Sequence, residues 1–187
     1  MDSRKGQRGF TLVEVMVVVA IVAILAVVGT TTLLLSLPNM RLRGAARDVY
    51  SCMMQAKVEA LQRRENVTVL FVSPGNAYLM FLDNGAGGGV ANDEVLNGAE
   101  LLLLPATALP DRVSFDPAVG GADGVMDGIT FANNAAVFTP RGIPVDASTG
   151  GVLAAEGTIG LRAVDATGVT VRQRTVRVSS AGRVNMQ

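Results

Sequence analysis

The sequence predicts an α+β fold in which a long N-terminal helix packs on an antiparallel β-sheet or small β-sandwich. Three observations predict it. A run of 14 apolar residues, 15–28, lies near the start of the 187-residue chain. Beyond it, apolar residues recur at intervals of three and four to about residue 65, the signature of an amphipathic helix. From residue 67 the period shortens, and short β-type runs alternate with Gly- and Pro-rich turns.

The first element spans residues 10–37, broken only by Thr11, Glu14, Gly29, Thr30–Thr32 and Ser36. About 20 mostly apolar residues cross a bilayer core, and these 28 as a helix would be roughly 42 Å long. Pro38-Asn39 is the first turn chemistry, so a bend or break is expected there. The second element spans residues 38–66. Its apolar stripe is Leu42, Ala46, Val49, Met53, Ala56 and Ala60, and Arg43, Arg47, Lys57, Arg63 and Arg64 fall largely off it. The third is a β-rich domain over residues 67–187. Runs 67–72 and 77–82 form a hairpin about the turn Ser73-Pro74-Gly75-Asn76. Further strands are expected at 101–104, 113–115, 129–131, 136–138, 159–164 and 169–179, the last two joined by a turn at 165–168. Residues 85–89, Gly-Ala-Gly-Gly-Gly, read as a flexible loop.

Composition narrows the chemistry. The chain has no His, one Cys and 4% aromatics. Without His there is no Ser-His-Asp or Cys-His catalysis and no His-ligated metal. One Cys allows no internal disulfide. Cys52, inside the second helical stretch, is a small core residue rather than a nucleophile. Asp83, Asp93, Glu94, Asp123 and Asp127 suggest calcium, but 123–127 lacks EF-hand spacing and such residues favour turns for their own backbone reasons. The acids of this region are expected to face solvent. No cofactor, metal or enzymatic activity is expected. Lys+Arg and Asp+Glu balance at 16 each, yet residues 41–64 carry +4, residues 83–165 carry −8, and residues 166–187 carry +4.

Three readings of the N-terminus compete. A cleaved secretory signal has a shorter apolar region and a small-residue site after it. A plain membrane anchor leaves Glu14 without a partner, and a charge at a helix centre in lipid costs about 2.5–3.5 kcal/mol, less near the interface. In the third reading, Arg8-Gly9-Phe10-Thr11-Leu12-Val13-Glu14 resembles the type IV prepilin signature. That resemblance implies a leader of residues 1–9, cut by prepilin peptidase between Gly9 and Phe10, and N-methylation of the new amine on Phe10. It also implies that Glu14, fifth in a mature chain of 178 residues, pairs during assembly with the N-terminal amine of a neighbouring subunit.

The rest of the chain resembles the GspH/FimT family of minor pseudopilins and minor pilins. The resemblance rests on residues 60–66 (Ala-Leu-Gln-Arg-Arg-Glu-Asn) followed by Val67-Thr68-Val69, and on the acidic, Gly-rich segment from Asp83 to Glu100. Phe138-Thr139-Pro140-Arg141-Gly142 and a C-terminal strand ending in residues 178–184 (Val-Ser-Ser-Ala-Gly-Arg-Val) complete it. Residues 105–137 match nothing nameable. The resemblance implies a pilin-like fold and a minor pseudopilin of a type II secretion system, processed and assembled into a periplasmic pseudopilus. The implied precursor is single-pass in the inner membrane with its globular domain in the periplasm. Its implied partners are prepilin peptidase and other pseudopilins or pilins.

The alternative is a FimT-like minor pilin of pilus biogenesis or natural transformation that binds DNA through Arg172, Arg174, Arg177 and Arg183. The family's Gly-Arg-x-Arg pattern falls on Gly182-Arg183-Val184-Asn185, where the second Arg is replaced by Asn. In a regular strand Arg172 and Arg174 share one face and Arg177 takes the other. Basic residues on an edge strand also discourage edge pairing, which needs no nucleic acid.

Overall fold

The computed structural model describes residues 10–121, 124–153, 156–165 and 167–187, the side chains of residues 27–35 excepted. The expected leader with Gly9, and Asp123, lie outside the described residues. The architecture is α+β: among the described residues one α-helix, α1 (Leu12–Arg63), is followed by nine short strands in two antiparallel sheets. The chain divides into two compact units, Met1–Leu37 and Pro38–Gln187.

In the first unit α1 starts where its cap dictates. Thr11 precedes the first helical residue, and its hydroxyl accepts a hydrogen bond from the Glu14 N–H at 3.3 Å. A Thr three residues before a Glu is the capping-box arrangement, which satisfies an otherwise orphaned donor of the first turn. The side chains from Phe10 to Ala26 are all exposed. Among the described residues no helix is long and apolar enough to cross a membrane. The described side chains of the expected span stop at Ala26 and resume at Ser36.

α1 is assigned without a break across Pro38, where a bend or break was expected. Pro forgoes one backbone hydrogen bond and crowds the preceding turn; here its ring is buried, and that packing offsets part of the cost. In the second unit the whole expected stripe is buried: Leu42, Ala46, Val49, Met53, Ala56 and Ala60 expose no surface. Fully burying a side chain the size of Leu, Val or Met contributes about 1.5–3 kcal/mol. Cys52 lies on the same face, and burial pushes its thiol up to about 12. The helix ends at Arg63, two residues before the expected 65. Arg64 turns left-handed (φ 60°), and its N–H donates to the Ala60 carbonyl at 3.0 Å.

The first sheet has the order β3-β2-β1-β5-β6, built from β1 (Val67–Val72), β2 (Ala77–Leu82), β3 (Leu102–Ala108), β5 (Ala135–Phe138) and β6 (Pro144–Val145). The expected hairpin is β1–β2, with Val67 opposite Leu82, Val69 opposite Met80 and Phe71 opposite Tyr78. These six, with Ala136 and Phe138 of β5, form the apolar face that joins the helix stripe in one core. The second sheet has the order β4-β7-β8-β9, with β4 (Val113–Phe115), β7 (Gly157–Val164), β8 (Thr170–Val178) and β9 (Val184–Met186). Its inner face is Val113, Phe115, Ile159, Leu161, Ala163, Val176, Val178 and Val184. Phe71 meets Phe115 edge-on at 5.9 Å and so links the two sheets.

Three expectations change. Residues 129–131 make only a bridge, Ile129 to Ile159, because β4 already occupies the neighbouring part of that edge of β7. The expected C-terminal strand does not run on to Val184. The chain reverses at residues 179–183 and returns as β9. Residues 85–89 include a 3-10 turn and close approaches that leave Gly85, Gly87 and Gly98 no room for a Cβ.

Two glycines in β7 let neighbouring segments lie against the strand. A Cβ at Gly157 would collide with the buried Phe131 ring, and one at Gly160 would meet Val119. Gly157→Ala should therefore destabilise the protein by about 1–3 kcal/mol, the usual cost of overpacking a core. Urea denaturation followed by far-UV circular dichroism measures it, and an unchanged midpoint would show that Phe131 yields without cost.

Candidate functional sites

The first candidate site is the start of α1. Phe10 is 82% exposed, and Glu14 lies in the first helical turn with its side chain exposed. The Thr11 hydroxyl caps the Glu14 N–H, and the Glu14 carboxylate makes no hydrogen bond or ion pair among the described residues. An acid in the first turn is favoured by the helix dipole. The geometry presents a free carboxylate at the end of an apolar rod.

The second candidate site is basic. The regular register of β8 from Arg172 to Val178 puts Arg172 and Arg174 on one face and Arg177 on the other. The irregularity in pairing lies before Arg172 and does not change this. The face shared by Arg172 and Arg174 is the core face, in line with buried Val176 and Val178. Arg177 faces away and approaches Glu156 at 3.8 Å. Arg183 is exposed in the β8–β9 turn. The four C-terminal arginines therefore do not form one surface. Instead Arg174 shares a cavity with two arginines of α1. Arg43, Ala46, Arg47, Arg174 and Met186 line a cavity of about 230 Å³.

Lys57 carries a structural role that periodicity alone did not reveal. Its Nζ donates to the Gly182 carbonyl at 2.7 Å. Gly182 (φ 73°) closes the turn after β8, and Gly142 (φ 70°) closes the turn after β5. The two turns share one pattern. Ser179 N–H donates to the Arg183 carbonyl and Gly182 N–H to the Ser179 carbonyl; Thr139 pairs with Ile143 and Gly142 with Thr139 in the same way. This is the three-residue hairpin loop with a left-handed glycine. A Cβ on Gly182 would strike the Gly142 carbonyl, and one on Gly142 would crowd Lys57 and Leu61. The two motifs 138–142 and 178–184 thus meet at one point on the helix.

The acids of this segment were expected to face solvent, and several do not, because their carboxylates serve as internal acceptors. Asp83 is buried and accepts from the Asn92 and Glu94 N–H groups, at 2.5 and 3.0 Å, and from the Thr68 hydroxyl at 3.3 Å. Glu100, also buried, accepts from the Gly85 and Asn97 N–H groups at 2.9 and 3.0 Å. Asp93 accepts from Val95 N–H, and Asp127 from Ile129 N–H. These are turn-forming bonds. No group of three or more His, Cys, Asp or Glu among the described residues is placed to hold a metal ion.

Two family profiles match the chain. Residues 4–30 match the prokaryotic N-terminal methylation motif. Residues 45–182 match type II transport protein GspH. The second match covers well over half of the sequence, and the chain belongs to the GspH family of pilin-like proteins. Among solved structures it is similar to the type IV minor pilin FimU of Pseudomonas aeruginosa (strain PAO1). That likeness has 17% identity, covers 78% of this chain and 92% of that one, and has a TM-score of 0.47. It is also similar to the minor pseudopilin EpsH from the type 2 secretion system of Vibrio cholerae. There the identity is 11%, the coverage 79% and 96%, and the TM-score 0.48. No curated protein matches the chain significantly.

Glu94 supplies a pH test of the acidic loop. Burial pushes its carboxyl above the ordinary value; the Asn133 amide opposes this, and Asp83, Asp93 and Asp146 add to it. A carboxyl raised in the folded state is uncharged and neutral to stability at low pH, and stability falls as pH rises through that value. Glu94→Gln should therefore raise Tm at pH 8 and leave it unchanged at pH 3.5. A difference of equal size at both pH values would assign the effect to packing instead.

Proposed function

We propose that this chain is a minor pseudopilin of a type II secretion system. The observation that carries the reading is the GspH match over residues 45–182. Prepilin peptidase removes residues 1–9 by cutting between Gly9 and Phe10, and the amine of Phe10 is methylated. The match of residues 4–30 to the methylation motif supports this step. The mature chain is anchored in the inner membrane through residues 10–37, with the Pro38–Gln187 unit in the periplasm. It then leaves the bilayer for a pseudopilus shared with other pilin-like subunits. The role is structural rather than catalytic.

Physical chemistry supports the assembly step. Helix residues from Leu12 to Ala26 expose apolar side chains on every face, with Thr11 and Glu14 the only polar groups near its start. A helix apolar all round belongs in lipid or among other helices. An α-amine with a pKa near 8 is mostly cationic at neutral pH. Pairing it with a carboxylate offsets much of the cost of placing either charge alone in an apolar medium. The cap uses only the Glu14 backbone N–H, which leaves its carboxylate free for a neighbour's amine.

The intact mass of the mature protein should correspond to 178 residues beginning at N-methylated Phe10; any other terminus overturns the processing step. Glu14→Ala should leave cleavage intact but reduce recovery of the subunit in sheared pseudopilus fractions by tenfold or more. Normal incorporation would remove the role of Glu14. Deletion of the gene should abolish export of type II substrates while surface pili persist. Loss of pili with normal export would assign the chain to a pilus system.

A further inference from the structure

The arginine cavity has no part in the assembly step. Arg43 and Arg47 are one helical turn apart on α1, so both project from the same side of it. Arg174 arrives from β8 across a sequence separation of more than 120 residues. None of the three makes a hydrogen bond or ion pair among the described residues. Other arginines of this unit behave differently: Arg41 meets Asp111 at 3.0 Å, Arg63 meets Glu59 at 2.7 Å, and Arg177 meets Glu156. Arg174 is half-buried, and it lies on the core face of its strand. Arg43 and Arg47 are exposed. Three like charges sharing one cavity repel one another, and an anion that joins them relieves the repulsion.

The lining selects the anion. Guanidinium groups pair with phosphate oxygens through parallel N–H donors, a geometry an ammonium cannot supply. Three of them in about 230 Å³ suit one phosphate group with a few flanking atoms. The other lining residues, Ala46 and Met186, are apolar and suit the ester side of such a group. A nucleic-acid strand needs a track of phosphates and surfaces on which bases stack. Here no aromatic residue lines the cavity, Arg177 faces away, and Arg183 is in a separate turn. Position in the chain selects the source of the phosphate. Arg43 follows Leu37, the last residue of the apolar run, by six residues of α1, a rise of about 9 Å along the helix. If residues 10–37 lie in the bilayer, as in the function proposed above, the cavity is within reach of the headgroup layer.

We propose that Arg43, Arg47 and Arg174 bind the phosphate of an anionic phospholipid headgroup. The site would hold the subunit against the membrane surface while it waits to enter a filament.

The test uses the full chain in a neutral detergent, with lipid adducts counted by native mass spectrometry. Phosphatidylglycerol should give several-fold more adducts than phosphatidylcholine. The triple variant Arg43→Gln, Arg47→Gln, Arg174→Gln should lose about tenfold in phosphatidylglycerol binding and fall to the phosphatidylcholine level. The control triple Arg63→Gln, Arg64→Gln, Arg141→Gln loses the same charge and should keep the preference. Should the first triple variant fail to fold, Arg174→Gln alone should lose severalfold with an unchanged thermal midpoint. Equal losses in both triples, or none in the first, overturn the proposal. Arginine-dependent binding of glycerol phosphate without a lipid preference assigns the cavity to a free phosphate ester and overturns the lipid source. Arginine-dependent binding of a 12-residue oligonucleotide that displaces phosphatidylglycerol assigns it to nucleic acid and overturns it equally. Carbonate extraction of membranes separates the two readings. A chain released by carbonate sinks the membrane anchor, whereas a retained chain without lipid selectivity sinks the cavity alone.

Discussion

The small side chains of α1 set how closely the second unit packs, and the rest of that unit is arranged around them. Ala45, Ala46, Ala56 and Ala60 are buried on the helix, interleaved with Leu42, Val49 and Met53. The bulk of the core comes instead from the sheets, through Phe71, Met80, Phe138, Ile159 and Leu161. With only 4% aromatics in the chain, few rings are available, and most of the phenylalanines are spent here. A small-residue helix face needs large partners, because voids forfeit dispersion contacts along their walls. Lys57 then fixes register at the polar end of the stripe. Its bond to Gly182, whose turn packs so closely on the other that a Cβ there would strike the Gly142 carbonyl, ties one helix position to one hairpin turn from each sheet.

Where sequence periodicity had only one physical cause, it mapped directly onto the fold. Strands 67–72, 77–82 and 113–115 lie where alternation and turn residues put them, and every residue of the helix stripe is buried. β6 and β9 each return from a three-residue hairpin loop, 140–142 and 180–182, that was not read as a loop, so both were missed. The end of β8 was legible in principle. Ser179-Ser180-Ala181-Gly182 and Thr139-Pro140-Arg141-Gly142 share the spacing of a hairpin loop ending in a left-handed glycine. The loop acids were misjudged for a different reason. Carboxylates are expected outside unless paired, and the donors that pair Asp83 and Glu100 are backbone N–H groups, which every sequence has and none displays.

The candidate sites divide along the same line. The placement of Glu14 in the first helical turn was legible because its neighbours in sequence are its neighbours in space: Thr11 caps the turn that contains it. The four C-terminal arginines were grouped by sequence proximity, and strand parity separates them. Alternation foretold that Arg172 and Arg174 would part from Arg177. It held no information that the face they share is the core face, nor that Arg43 and Arg47 would meet Arg174. That meeting depends on how the second sheet docks on α1, a long-range property to which single-residue patterns are blind.

The charge segregation of the sequence acquires meaning once these contacts are known. The net −8 of residues 83–165 is largely internal business, with buried or turn-forming carboxylates holding loops together. Only Asp111 and Glu156 among the described acids of this segment reach arginines on other elements, Arg41 of α1 and Arg177 of β8. The +4 of residues 41–64 and the +4 of residues 166–187 come together in part, at Arg43, Arg47 and Arg174. A neutral protein thus contains a locally uncompensated positive cluster, because its negative charge is committed to backbone donors elsewhere. An excess of this kind is open to an anion from outside the chain. If residues 10–37 lie in a bilayer, the anions nearest to this cluster are those of its headgroup layer.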